Sequence, residues 1–158
     1  MRVLGIDPGT ARTGWAVLEK KKGEIIAVAF NCFETKKEEE VAQRLEKIFA
    51  EIKRLIKEYT PQIVAIEEVF FSANAKTAFA VGQARGVIFL ASQIGKVKSC
   101  SYTPLQIKKT VTGYGRAEKK QMGEKVKSIL NLQEIPKFDD TCDALAVALT
   151  HLYLNGRK

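Results

Sequence analysis

Cysteine and histidine are scarce in this chain of 158 residues. The three cysteines, Cys32, Cys100 and Cys142, are odd in number and their spacing matches no zinc site, so we expect reduced thiols that pack as small hydrophobic side chains. Reduced thiols point to a cytoplasmic protein. The single histidine, His151, is expected to be a surface or half-buried helix residue. These counts favour neither a disulfide framework nor a zinc site.

Long hydrophobic runs are absent as well. No apolar stretch approaches the length of a membrane span, and the opening MRVLGIDPG leads straight into a strand pattern. We therefore expect neither a transmembrane segment nor a signal peptide. The sequence has no repeat, linker or low-complexity segment, and its apolar fraction of 46% is ordinary for a globular protein. Its length and composition predict a single domain over residues 1–158.

Positive charge is concentrated in one part of the chain. The net charge is +8, and residues 96–127 carry nine Lys or Arg against two acids, which accounts for nearly all of that excess. A basic protein whose charge is clustered favours an anionic partner, nucleic acid first. The nine cations are Lys96, Lys98, Lys108, Lys109, Arg116, Lys119, Lys120, Lys125 and Lys127.

Hydrophobic periodicity predicts a mixed α/β domain. Strands are expected over residues 3–7, 15–18, 24–34, 62–67 and 96–102, with the first three forming an antiparallel meander. Helices are expected over residues 38–59, 72–94, 104–111, 117–130 and 139–154. This order predicts a mixed five-stranded sheet with helices on both faces. Ala78, Gly82 and Gly86 recur every four residues, so the second helix should pack closely on a sheet or on a symmetry mate.

Acidic residues end two of the predicted strands and open the last helix. Asp7 follows the first strand, Glu67 ends the fourth, and Asp140 and Asp143 lie one turn apart on a helix. If these acids meet at one edge of the sheet, their negative charges repel one another. Bound Mg²⁺, which prefers oxygen ligands, would neutralise that repulsion. Two such ions can hydrolyse a phosphodiester. Each acid also has an ordinary alternative: a turn cap, a solvated strand end or the N-cap of the last helix.

Five segments together resemble the RuvC family of bacterial Holliday-junction resolvases, within the ribonuclease H-like superfamily. They are GIDPGTARTG (5–14), AIEEVFFSANAKTA (65–78), GQARGV (82–87), IKKTVTGYGRAEKKQM (107–122) and DDTCDALAVALTH (139–151). The opening motif is shared with other folds, whereas the combination in this order is specific to the family. The resemblance implies a ribonuclease H-like fold and a homodimeric endonuclease that nicks opposed strands of four-way DNA junctions during recombination and repair.

The resemblance also assigns residues. The metal-binding carboxylates of the family match Asp7, Glu67, Asp140 and Asp143, for two Mg²⁺ per subunit, with Mn²⁺ as a possible substitute. Asp140 is matched in preference to its neighbour Asp139 because the second acid of the family's final motif lies three residues after the first. Thr141 and Cys142 stand where small residues such as Ala-Ala are usual in the family. The partners that the resemblance implies are junction DNA and the RuvA–RuvB branch-migration complex. It also implies a preference for T-rich cleavage sites.

The resemblance also implies which residues contact DNA. Phe70 matches the family aromatic that stacks on a base at the junction centre, and its alternative is a buried ring under the loop. Lys108 and Lys119 match lysines near the scissile phosphate. Lys109, Arg116 and Lys120 look like contacts to the DNA backbone. The role of Arg85, on phosphate or on the dimer partner, stays open.

Three other functions compete with this interpretation. The GIDPGT motif also resembles the phosphate loop of actin-like ATPases and sugar kinases, but those need a second such domain, and 158 residues are too few for it. A junction-binding module without activity would have lost one of the acids, and all four positions are filled. A nuclease of the same fold acting on RNA or on another branched substrate is disfavoured by the matching Phe70 and basic segment.

Overall fold

The structure is a computed structural model that describes residues 1–68 and 75–155, without the side chains of residues 75–77. The element order is close to the predicted one. Over the described residues it consists of β1 (Arg2–Asp7), β2 (Arg12–Lys21), β3 (Glu24–Glu34), α1 (Val41–Tyr59), β4 (Ile63–Glu67), α2 (Ala75–Ile94), β5 (Lys98–Tyr102), α3 (Pro104–Thr112), α4 (Lys119–Leu130) and α5 (Asp139–Asn155).

The five strands form one mixed sheet in the order β3-β2-β1-β4-β5. Strands β1, β2 and β3 pair antiparallel, while β4 runs parallel to both β1 and β5. Ile6 pairs with Ile66, so Asp7 and Glu67 lie one step further along two adjacent parallel strands. The carboxyl ends of these strands share one edge of the sheet, and both acids are placed there.

Helices cover both faces of the sheet, as predicted. Alternate residues of β1 point to opposite sides, so Val3 packs in the core beneath α5 while Leu4 packs in the core beneath α1 and α2. Leu145 and Leu149 of α5 belong to the first core, and the stripe of α1 that includes Ile48 fills the second. The α/β class and the mixed five-stranded sheet are thus confirmed.

Helix α1 begins at Val41, three residues later than its hydrophobic period suggested. Glu40 precedes it in an extended conformation, and the Gln43 side chain accepts the Glu40 backbone N–H. This capping box sets the start of the helix in place of the acidic run before it. Thr60 ends the helix in the left-handed region, at φ 45°.

Of the three small residues that recur along α2, Ala78 is buried, whereas Gly82 and Gly86 do not pack on this chain's own sheet, which was one of the two predicted alternatives. A methyl group added to Gly82 or Gly86 would meet nothing within 4 Å. Phe79, Leu90 and Ile94 are exposed on the same helix. This face of α2 is therefore open within the described part of the chain.

The prediction for His151 is wrong, because the side chain is buried and only 6% exposed. Helix α5 crosses the sheet so that His151 faces β5, where its Nδ1 lies 2.8 Å from the Tyr102 hydroxyl and 3.2 Å from the Cys100 thiol. Burial lowers the pKa of His151, which favours the neutral ring. Asn155 donates in turn to the Tyr102 oxygen, at 2.9 Å.

Cys32, Cys100 and Cys142 are all free thiols, and burial raises the pKa of Cys142 to about 12. Across residues 1–68 and 75–155, no helix combines the length and the apolar character needed to cross a membrane.

Candidate active site

Two glycines let α5 lie directly on the sheet. A Cβ built on Gly14 would stand 1.9 Å from the backbone oxygen of Asp140, and one on Gly5 would stand 2.3 Å from that of Ala144. Gly14 also pairs with Asp7 across β1 and β2. The amino-terminal turn of α5 is therefore held against the strands at the point where β1 delivers its acid.

This packing brings acids from three distant segments together. Asp7 from β1, Glu67 from β4 and Asp143 from α5 line one cavity of about 280 Å³, together with Pro8, Glu68 and Val81. All three carboxylates are half-buried. The arrangement places acidic side chains that are up to 136 positions apart in sequence around the same space.

Burial and mutual repulsion both disfavour the charged forms of these acids. Burial raises the pKa of Asp7 well above its usual range, and the charges of Glu67, Asp143 and Asp140 raise it further. Burial and the Asp143 charge raise the pKa of Glu67 to about 7, although a hydrogen bond with Asp7 partly offsets them. The pKa of Asp143 rises to about 6, mainly through burial. These buried acids therefore hold their protons more tightly than acids in water.

Asp140 and Asp139 stand in different surroundings. Asp140 acts on the pKa of Asp7 and lies 3.4 Å from the Arg12 guanidinium. The side chain of Asp139 is 73% exposed and pairs with the Lys119 ammonium at 3.1 Å. Asp139 is not among the main influences on Asp7. Neither Asp139 nor Asp140 lines the cavity that Asp7, Glu67 and Asp143 share, and the charges of both raise the pKa of Asp143.

The donor set fits a hard divalent cation. The available ligands are oxygens of buried carboxylates that repel one another, and such oxygens suit Mg²⁺. Within residues 1–68 and 75–155, however, no three His, Cys, Asp or Glu side chains are already placed to hold an ion. Asp140 is paired with Arg12, whose guanidinium also lies 4.6 Å from the centre of the Phe138 ring.

Lysines border the acidic cluster on one side. Lys108 of α3 and Lys119 of α4 line a second cavity, of about 150 Å³, with Glu67 and Asp143. Both lysines lower the pKa of these two carboxyls and so favour their charged forms. The second cavity shares Glu67 and Asp143 with the first. An anion bound by the two lysines would therefore lie next to these two carboxylates.

The other predicted DNA contacts line neither of these two cavities. Lys109, Arg116 and Lys120 are exposed, and among residues 1–68 and 75–155 none of them takes part in an ion pair. Phe70 lies outside the described residues. Arg85 donates to the Ser101 hydroxyl at 3.0 Å, and its guanidinium lies 5.5 Å from the Phe89 ring centre.

Sequence reasoning missed Arg12. It belongs to the GIDPGTARTG motif, yet its partner Asp140 is 128 residues away, and no local pattern links the two. Arg12 also pairs with Glu34, so it ties the start of β2 to the end of β3 and to the first turn of α5. The only available signal was a cation inside a motif otherwise made of turn residues.

Comparisons with known proteins give one family. The protein-family model described as crossover junction endodeoxyribonuclease RuvC matches residues 3–151 of this chain. The RuvC protein of Caldicellulosiruptor saccharolyticus is 49% identical over 153 residues, covering 96% of this chain and 92% of that protein. The RuvC protein of Fusobacterium nucleatum subsp. nucleatum is 46% identical over 158 residues, covering 100% and 83%.

A solved structure agrees with the sequence comparisons. Thermus thermophilus RuvC in complex with Holliday junction substrate matches with a TM-score of 0.92 and 33% identity, covering 98% of this chain and 94% of that chain. The chain therefore belongs to the RuvC family of crossover junction endodeoxyribonucleases, and its mixed sheet is the ribonuclease H-like fold.

Proposed function

We propose that residues 1–158 form a single Mg²⁺-dependent nuclease domain that resolves four-way DNA junctions by nicking two opposed strands. The observation that carries the proposal is the meeting of Asp7, Glu67 and Asp143 around one cavity, with Lys108 and Lys119 beside it. Family membership supplies the substrate. Such an enzyme would work on DNA in the cytoplasm during recombination and repair, together with the RuvA–RuvB branch-migration complex.

Asp7, Glu67, Asp140 and Asp143 would hold two Mg²⁺ ions. When bound, such ions supply an activated water and neutralise charge on the phosphate. The carboxyls must lose their protons first, which Lys108 and Lys119 favour. The same lysines stabilise negative charge that develops on the scissile phosphate. Water attacks phosphorus and the bond to the 3′ oxygen breaks, which leaves 5′-phosphate and 3′-hydroxyl ends that a ligase can seal.

Binding to the junction is assigned to the surrounding cations and to one aromatic residue. Lys109, Arg116 and Lys120 are exposed and unpaired with acids in the described part of the chain, so phosphates can reach them. Phe70 stacks on a base at the junction centre. This role rests on the family resemblance, since Phe70 lies outside the described residues.

Substitution of Asp7 by asparagine tests the proposed chemistry. The wild type should cut a labelled mobile four-way junction into paired, ligatable nicks only when Mg²⁺ is present. Asp7→Asn should cut at least about 100-fold more slowly, because even groups that only orient metal ligands are worth 10- to 100-fold. It should still bind the junction, because the basic residues are unchanged. Mn²⁺ in place of Mg²⁺ tests metal choice in the same assay.

Two outcomes would contradict the proposal. Cleavage by Asp7→Asn at the wild-type rate would remove Asp7 from the reaction. Binding of the junction by both proteins without cleavage by either would make this chain a junction-binding module whose acids are structural.

We also propose that the protein is a homodimer joined through α2. The support is the open face that carries Gly82, Gly86, Phe79, Leu90 and Ile94, which is apolar and would leave large side chains in water in a monomer. Glycines along a helix allow another backbone to approach closely. A two-fold dimer also suits a substrate with two opposed strands to cut.

The substitution Leu90→Asp should separate the dimer. A charge in the middle of an apolar interface is costly, so we expect the dimer dissociation constant to rise at least about 100-fold in sedimentation equilibrium. Val41→Asp is the matched control, because Val41 is exposed to the same extent (52% against 53%) on another helix. Equal dimerisation of both variants would place the interface elsewhere.

A further inference from the structure

Tyr114 is a large exposed aromatic side chain on the turn that joins the two lysine-bearing helices of the candidate active site. It lies in the short turn between α3 and α4 and is 59% exposed. The two helices that this turn joins contribute Lys108 and Lys119 to the cavity shared with Glu67 and Asp143. The turn is thus tied on both sides to elements of the candidate active site.

Hydrogen bonds and packing hold this turn in one conformation. The Thr112 hydroxyl donates to the Lys108 carbonyl at 2.8 Å and accepts the Tyr114 backbone N–H at 3.1 Å. The Tyr114 carbonyl accepts the Ala117 N–H at 3.2 Å. Gly115 packs so closely on Leu105 that a Cβ there would lie 2.6 Å from it. A constrained backbone lowers the entropy that a contact through the exposed ring would cost.

Positive charge surrounds the ring along the chain. Lys108, Lys109, Arg116, Lys119 and Lys120 lie within six residues of Tyr114, against the single acid Glu118. Among these cations only Lys119 has an ion-pair partner within residues 1–68 and 75–155. An exposed aromatic side chain among free cations is the combination that binds nucleic acid strands, since the cations hold phosphates and the ring packs on bases.

We propose that Tyr114 is a DNA-contacting residue whose ring packs against a base or deoxyribose of the strand held by Lys108 and Lys119. The inference rests on the proposed function for its substrate. Its contact is apolar, so it adds affinity without releasing counterions from the DNA. Tyr114 therefore keeps the bound strand seated next to the carboxylates under salt conditions that weaken the phosphate contacts.

The test is junction binding by fluorescence anisotropy over a range of salt concentrations, without divalent cations, so that no cleavage occurs. Tyr114→Ala should weaken binding about tenfold, as loss of one stacking contact does, with an unchanged dependence on salt. Tyr114→Phe should bind within about twofold of the wild type because the ring remains. Arg116→Ala should instead reduce the slope of log K against log salt by about one.

Tyr153→Ala is the matched control, since Tyr153 is an exposed tyrosine in the last turn of α5, and it should bind like the wild type. The contact is overturned if Tyr114→Ala binds like the wild type, if it lowers the salt slope, or if Tyr114→Phe loses as much as Tyr114→Ala. A wild type that prefers a linear duplex to the junction would contradict the proposed function instead. The same variants then test the Tyr114 contact on that duplex.

Discussion

Replacing Gly14 with alanine is expected to destabilise the fold by about 3 kcal/mol or more and to slow junction cleavage at least about 100-fold. The added methyl group would stand 1.9 Å from the carbonyl oxygen and 2.3 Å from the carbonyl carbon of Asp140. These are backbone atoms of α5, which cannot turn aside as a flexible side chain would. The first turn of the helix must move away from the sheet, and Asp140 and Asp143 move with it.

Gly82→Ala is the control for stability. This variant also replaces a glycine by alanine, here in a helix, but nothing lies within 4 Å of the new methyl group. We expect it to raise stability by about 0.5–1 kcal/mol, as alanine does in a helix. Because Gly82 lies on the proposed dimer face, the control is read by urea unfolding in the Leu90→Asp background, where the protein should be monomeric. A Gly14→Ala protein that unfolds and cuts like the wild type would show that α5 is not held by this contact.

The fold was largely predictable because its elements carry strong local signals. The stripe of Ile48, Ile52 and Leu55 identifies α1, and the apolar runs at the start of the chain identify the meander. Boundaries were less accurate where a specific interaction decides them. The Glu40–Gln43 capping box moved the start of α1, and pairing with β3 carried β2 back to Arg12.

The site was predictable in residue type but not in arrangement. The prediction brought four acids, Asp7, Glu67, Asp140 and Asp143, to one sheet edge. Three of them line one cavity in the structure, and Asp140 does not. Contacts between distant residues left no local pattern. Arg12 on Asp140 is one such contact, and His151 against Tyr102 is another. A lone histidine on a helix gives no indication that a tyrosine from β5 will cover it.

Replacing Glu67 with glutamine is expected to abolish cleavage while making the protein more stable in the absence of divalent cations. The pKa of Glu67 is about 7 in the folded protein against 4.5 for an ordinary glutamate, because burial and the Asp143 charge disfavour the ionised form. Glutamine keeps the shape and removes the charge. At pH 8 in EDTA we expect a gain of about 1–3 kcal/mol, limited by the favourable charges of Lys108 and Lys119.

The sign of the pH dependence follows from that raised pKa. Between pH 4.5 and 7 the folded protein holds a proton on Glu67 that the unfolded chain has lost, so wild-type stability falls as the pH rises. The advantage of Glu67→Gln should therefore be small near pH 4.5 and reach its maximum above pH 7. Urea unfolding at several pH values measures this difference in stability. The control is Glu46→Gln, at an exposed position of α1, which should change the free energy of unfolding by less than about 0.5 kcal/mol.

Addition of Mg²⁺ should reverse the order of the two proteins. An ion that binds only the folded state stabilises it in proportion to the logarithm of its concentration over its dissociation constant. The wild type should gain stability in this way, most at high pH where its carboxyls have lost their protons, and Glu67→Gln should gain much less. If the two proteins respond equally to Mg²⁺, Glu67 is not a ligand. If Glu67→Gln is instead the less stable protein in EDTA at pH 8, the acids are not repelling one another across this cavity, and the electrostatic argument for a cation site there fails.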